Sequence, residues 1–192
     1  MIKKILLLCG DGTEDYETMV PYQALSLLGY QVDCVCPDKK AGDKVATDVH
    51  DFLGNQTYSV FVGHNFALTA DFDSVDTSEY IGLFISGGRS PEYLRLYPRV
   101  IEIVKEFFRD NKPVAAICHA PQILAAAGVL KGYKATAYET VGPEVALAGA
   151  EYIELPFEEA LVDRNLITAP AWPGNTAILR EFVKLLGAKI EI

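Results

Sequence analysis

The feature that most constrains this chain is a recurrence: short runs that are apolar almost throughout, each followed by a segment whose apolar residues fall at helical spacing. "KKILLLC" leads through "GDGTED" into "YETMVPYQALSLLGY", which closes on Gly29; "YQVDCVCP" and "YIGLFISGG" follow, then a helical segment from about Tyr97 to Asp110. "KPVAAIC" runs into "PQILAAAGVL", and the chain continues with "YKATAY", a helix around Pro143 to Ala148, "LITAPA", and a last helix in "NTAILREFVKLLG". A strand without polar alternation is one covered on both faces, as in a parallel sheet with helices on either side. The alternation predicts an α/β fold with a mostly parallel sheet, because parallel neighbours need a crossover and the helix supplies it.

One stretch breaks the pattern. Between Asp38 and Asp73, "GDKVATDVHDFLGNQTYSVFVGHNFALTADF" is rich in aromatics and β-formers but has no helical period, and it reads as an inserted or edge β-hairpin. With 192 residues, half of them hydrophobic, the chain has material for one core, so a single domain over 1–192 is expected. The apolar run in "MIKKILLLCG" is too short for a signal peptide, and no stretch is apolar for the roughly eighteen residues a membrane span needs, so a soluble, cytoplasmic protein is expected. A formal charge of −9 argues against nucleic acid or an anionic membrane as partner, since both attract a basic footprint. Cys9, Cys34, Cys36 and Cys118 lack zinc-type or C-x-x-C spacing, so reduced thiols and no metal are expected.

In an open parallel sheet, ligands bind beyond the carboxyl ends of the strands, and "GDGTEDYE", "SGGRSPE" and "CHAP" all fall there. Cys118 sits at the turn between strand and helix, with Ala116 and Ala120 two residues to either side, a small-x-nucleophile-x-small pattern that lets strand and helix approach closely. At a helix start the unsatisfied N–H groups favour thiolate, so a lowered thiol pKa is expected; the alternative is a buried structural cysteine. Glu14, Asp15 and Glu17 exceed what a helix start needs, and a glutamate held beside the thiol would shuttle protons with a pKa raised by burial. Gly87 and Gly88 allow close backbone approach, so their N–H groups are candidates for an oxyanion site. Glu92 reads as a helix-start carboxylate, and His50 and His64 as structural.

The turn acid, the "GGRSPE" loop and "AICHAPQIL", in this order, resemble the ThiJ/PfpI superfamily nearly end to end. Within it, "LCGDGTEDYETMVPYQAL", "VCPDKKAGD", "VHDF", "QTY", "GHNF" and "GGRSPEYL" are similar to one domain of the plant tandem-domain glyoxalase III proteins. "ISGG", where the family usually has a proline before the glycines, and "CHAP", where glycine often follows the histidine, are departures. The resemblance implies a flavodoxin-like α/β/α sandwich of the class I glutamine amidotransferase type, with Cys118 as nucleophile. It implies Glu17 as the acid beside the thiol, His119 as its neighbour, and Glu92 as an acid that reaches the histidine across a subunit contact. Backbone N–H groups of Gly88 and His119 match the oxyanion site, and Tyr138 falls at a pocket position.

The activity so implied is cofactor-independent, glutathione-independent glyoxalase III chemistry, a lyase-type reaction turning methylglyoxal and related 2-oxoaldehydes into lactate and its analogues. The alternatives are a redox-sensing or chaperone-like stress protein with an oxidisable Cys118 and a PfpI-type cysteine peptidase. Because the tandem relatives carry two such domains, and because Phe52, Tyr58, Phe61 and Phe66 would leave an apolar patch unless covered, a homo-oligomer, a dimer or a trimer of dimers, is expected.

Overall fold

The computed structural model describes residues 3–188, so the ends of the expected 1–192 domain lie outside the described residues. The chain runs β1 (Lys4–Leu8), β2 (Thr13–Glu14), α1 (Asp15–Leu27), β3 (Gln31–Val35), β4 (Lys44–Asp51) and β5 (Ser59–Ala67). It continues through β6 (Tyr80–Ile85), α2 (Ser90–Leu94), α3 (Pro98–Arg109), β7 (Val114–Ile117), α4 (Pro121–Ala127) and β8 (Lys134–Ala135). Then follow α5 (Gly142–Leu147), β9 (Glu151–Tyr152), β10 (Leu161–Asp163), β11 (Leu166–Ala169) and α6 (Asn175–Leu185).

The main sheet has the order β10-β11-β7-β6-β1-β3, parallel throughout except for β10, which pairs antiparallel with β11 at the edge. Side chains alternate across it, which divides the core into two layers. Leu6, Leu8, Leu83 and Ile85 pack with Val100, Ile103, Val104 and Phe107 of α3 and with Ile123 and Leu124 of α4. Ile5, Leu7, Phe84 and Ile117 face the other way, against Leu25 of α1 and Ile178, Leu179 and Phe182 of α6. That is the expected α/β/α sandwich, and it explains why the strands carry no polar alternation: each face meets a helix. "YKATAY" differs from a full strand. Only Lys134–Ala135 pair, with Glu151–Tyr152 in a small separate sheet, because the Thr136 N–H turns to the Thr168 hydroxyl (2.9 Å) and the Tyr138 N–H to the Cys118 carbonyl (3.0 Å).

The insertion forms the expected hairpin, β4 and β5 antiparallel with a register shift between Ala46 and Asp48. It does not join the main sheet. Its β4 pairs in parallel with β2, in the turn between β1 and α1, so the hairpin is carried at the carboxyl end of β1, next to the edge of the main sheet. Phe66 turns inward and packs edge-on against Tyr22 (5.3 Å), whereas Val62, 94 % exposed, and half-exposed Phe61 face solvent.

Helix α1 contains Pro21, which lacks the N–H that would bond to the Glu17 carbonyl one turn earlier. The Ser86 hydroxyl takes that acceptor at 2.9 Å and ties Glu17 to the end of β6. At its start, Glu14 is the N-cap, its carboxylate accepting from the Glu17 N–H at 2.8 Å.

Candidate active site

Cys118 leaves β7 with φ +60°, a left-handed conformation that carries about 1–2 kcal/mol of strain for a residue with a Cβ. Three hydrogen bonds hold it: the Cys118 N–H to the Ala169 carbonyl (2.9 Å), the Tyr138 N–H to the Cys118 carbonyl (3.0 Å), and the Ala120 N–H to the Ile117 carbonyl (2.9 Å). Ala116 and Ala120 are fully buried against the neighbouring elements, the role their small size suggested.

Glu17 is fully buried, and one carboxylate oxygen accepts from the Gly87 N–H at 3.1 Å. The other oxygen has no hydrogen-bond partner among the described residues. The carboxyl lies beside the Cys118 thiol. Gly87 makes that proximity possible: a Cβ there would press on the Glu17 carboxylate and lie 2.6 Å from the Cys118 Cβ. Gly88, at φ +73°, aims its N–H at the sulfur. A side chain at Gly88 would collide with the backbone of the first turn, 2.5 Å from the Gly12 carbonyl oxygen, because the two turns interlock through the Arg89 N–H to the Gly12 carbonyl (2.8 Å).

The expectation of a lowered thiol pKa is overturned. Burial pushes the Cys118 thiol well up, and the Glu17 carboxyl adds to the rise; the Gly88 N–H works in the opposite direction and does not outweigh them. Burial likewise pushes the Glu17 carboxyl well up, reinforced by the neighbouring Glu14 charge. The helix-start argument fails because it treats the sulfur as solvated, and Cys118 is 4 % exposed. Thiol and carboxyl thus form a pair in which charge is disfavoured on either member, which suits a proton passed between them.

His119 places Nδ1 3.1 Å from the Cys118 sulfur and stacks on Tyr138 (5.2 Å, 22°). Burial lowers its pKa to about 4, helped by His50, so it is a neutral imidazole at physiological pH. Tyr138 is buried, with its phenol against Thr57 and the Tyr58 backbone. Glu92 stands apart. It is exposed on the first turn of α2, and among the described residues no hydrogen bond joins it to His119; its charge is felt at Tyr58.

Several residues escaped the sequence reading. His64 is structural as expected, held by Asp15 (3.2 Å). His50, expected to be structural, is buried beside the cluster: both ring nitrogens lack partners among the described residues, it stacks on Tyr58 (4.2 Å), and burial lowers its pKa to about 4. Phe52, Tyr58 and Trp172 complete an aromatic shell around the Cys118 cluster; nothing in their spacing signals it, since the partners are distant in the chain, from Tyr58 to His119 and from Phe52 to Trp172. Glu14, whose pKa burial raises to about 7, also accepts weakly from the His50 N–H (3.4 Å).

The sequence matches the DJ-1/PfpI family over residues 3–185. It is 54 % identical over 189 residues to protein DJ-1 homolog D of Arabidopsis thaliana, covering 98 % of this chain and 49 % of that protein. It thus spans about half the length of that relative and of the similar DJ-1 protein homolog E. It is 40 % identical over 184 residues to deglycase PfpI of Pyrococcus furiosus, covering 95 % of this chain and 99 % of that one. Among solved structures, Drosophila melanogaster DJ-1beta superposes with a TM-score of 0.79 over 98 % of this chain and 92 % of that chain, at 20 % identity, a likeness of fold.

Proposed function

The chain belongs to the DJ-1/PfpI family, and on that footing we propose that it is a cofactor-independent glyoxalase III acting on methylglyoxal and related small 2-oxoaldehydes. The observation that carries this reading is the enclosed trio of Glu17, Cys118 and His119, with an unpartnered carboxylate oxygen beside the thiol.

As the Cys118 sulfur adds to the aldehyde carbon, its proton passes to the Glu17 carboxylate and from there to the new alkoxide, giving a hemithioacetal. The Gly88 N–H, aimed at this region, and the backbone N–H of His119 serve as oxyanion donors. Glu17, again a carboxylate, removes the hydrogen from that carbon to leave an enediolate, then returns the proton to the second carbon while the first oxygen passes its own proton to the second oxygen. A thioester of lactate remains on Cys118. Water cleaves it, with the neutral His119 imidazole as base, and the released sulfur regains its proton. Methylglyoxal plus water thus becomes lactate, with no net oxidation and no external cofactor. The direction of the Glu17 shift supports the scheme, because a carboxylate that burial makes costly to form is, once formed, a stronger base toward both a thiol and a carbon acid.

Relatives named deglycase favour a second reading, in which the same sulfur adds to a carbonyl adduct on a larger molecule. The test is lactate production from methylglyoxal without glutathione by wild type and Cys118→Ala. Turnover that disappears in the variant is expected; equal rates in both, or no lactate from the folded wild type, would overturn the proposal.

A further inference from the structure

The carboxyl ends of the main strands should open as a crevice, yet Cys118 is 4 % exposed, His119 6 % and Glu17 0 %. What covers them is the loop joining β4 to β5, residues 52–58. Its two ends are aromatic and turned inward. Phe52 packs on Phe157 (4.6 Å) and lies over Trp172 (6.2 Å) and Tyr138 (6.4 Å). Tyr58 stacks on His50 (4.2 Å) and presents its edge to Tyr138 (5.3 Å) and His119 (5.7 Å). Between these ends, Leu53, Gly54, Asn55, Gln56 and Thr57 are all exposed. A segment anchored by two rings and by the contacts of Thr57 and the Tyr58 backbone with the Tyr138 phenol, and exposed in between, opens by local fluctuation rather than by unfolding the domain. Beneath it, the nitrogens of His50 and one Glu17 oxygen are buried without hydrogen-bond partners among the described residues, and a small polar molecule would satisfy them.

We infer that Phe52 and Tyr58 are specificity-determining residues, which confine Cys118 to carbonyl compounds small enough to fit beneath the closed loop and exclude carbonyl groups attached to protein or nucleic acid. The inference rests on the reading of Cys118 as a carbonyl-adding nucleophile. It sets this chain apart from the macromolecular substrates in the name of one relative, protein/nucleic acid deglycase 2 of Escherichia coli, 33 % identical over 189 residues.

The experiment is alkylation of Cys118 by iodoacetamide and by a polyethylene glycol maleimide, each rate taken relative to free cysteine and read on the Cys118 peptide by mass spectrometry. In wild type the bulky reagent should lag the small one by roughly tenfold or more, the scale set by loss of the aromatic pairs that hold the loop shut. Tyr58→Ala and Phe52→Ala should largely abolish that lag, and Tyr58→Phe, which keeps the ring, should retain it. Equal relative rates in wild type, or labelling by neither reagent, would overturn the inference. So would a lag unchanged in alanine variants that melt like wild type. If the alanine variants do not fold, the wild-type comparison and Tyr58→Phe still decide. Labelling needs no turnover, so a protein that discriminates by size yet makes no lactate would remove the proposed reaction and leave the loop's role standing.

Discussion

Gly87 is the point where a single methyl group should separate stability from chemistry. Its backbone lies outside the left-handed region, so Gly87→Ala adds no conformational strain. The new Cβ would lie 2.6 Å from the Cys118 Cβ and 2.7 Å from the Ile117 carbonyl oxygen, and against the Glu17 carboxylate. Carbon atoms rest at about 3.5–4 Å, so something must retreat by about 1 Å. The Ile117 carbonyl is fixed at the end of β7, where the Ala120 N–H bonds to it, which leaves the acid and the thiol to move apart. Overpacking of this kind costs about 1–3 kcal/mol in stability, while a displacement of about 1 Å between reacting groups costs on the order of a hundredfold in rate. Gly132→Ala is the matched control: its Cβ meets nothing within 4 Å, but φ is +74°, so it should lose about 1–2 kcal/mol through strain alone. Denaturant melts and lactate production measured on both should show comparable losses of stability, with turnover collapsing only in Gly87→Ala. If Gly87→Ala keeps a rate within a few-fold of wild type, the close approach of Glu17 and Cys118 is not what the reaction needs.

Glu17→Gln should lower turnover by about 10²–10⁴-fold, as expected for loss of a general base, while raising stability at neutral pH. A carboxyl whose pKa is raised by folding favours the folded state below its ordinary value of 4.5 and opposes it as pH climbs toward the raised value, so the variant should gain on wild type above that pH and not below it. Melts that show a constant difference from acid to neutral pH would contradict the direction of the shift. For assembly, light scattering coupled to size exclusion should find at least a dimer, with exposed Val62 and half-exposed Phe61 on β5 as the surface to be covered; a stable, active monomer at low micromolar concentration would refute this. If Glu92 serves a neighbouring subunit, mixing inactive Cys118→Ala chains with inactive Glu92→Ala chains should restore activity, and no recovery in mixed oligomers would confine Glu92 to its own chain.

The sheet was legible in the sequence because strands such as Val114–Ile117, and Lys4–Leu8 after its first residue, are buried on both faces and carry nothing polar, so each announces its environment in composition alone. The sharp turn at Cys118 was legible for a related reason: Ala116 and Ala120 are small where strand and helix must close. The roof was not. Phe52 and Tyr58 look like ordinary hairpin aromatics, and only the pairing of β4 with the two residues of β2 carries them over Cys118. Nor was the thiol's charge state legible, because it depends on how deeply Cys118 is buried and on a carboxylate 101 positions earlier in the chain (118 − 17). The short helix α2 and the antiparallel edge strand β10 are too brief to show a period.

Pro21 sets a limit on how this protein can be improved. Removing a proline from the middle of a helix is an obvious route to a more robust scaffold, since the helix regains a hydrogen bond. Here the acceptor it would regain is the Glu17 carbonyl, already claimed by the Ser86 hydroxyl. A repaired helix would bring a second donor to the hydrogen bond that fastens the acid's backbone to the end of β6. A selection for heat tolerance alone would therefore tend to loosen Glu17 from its place beside Cys118, and thermostable variants at this position should be screened for turnover before they are kept.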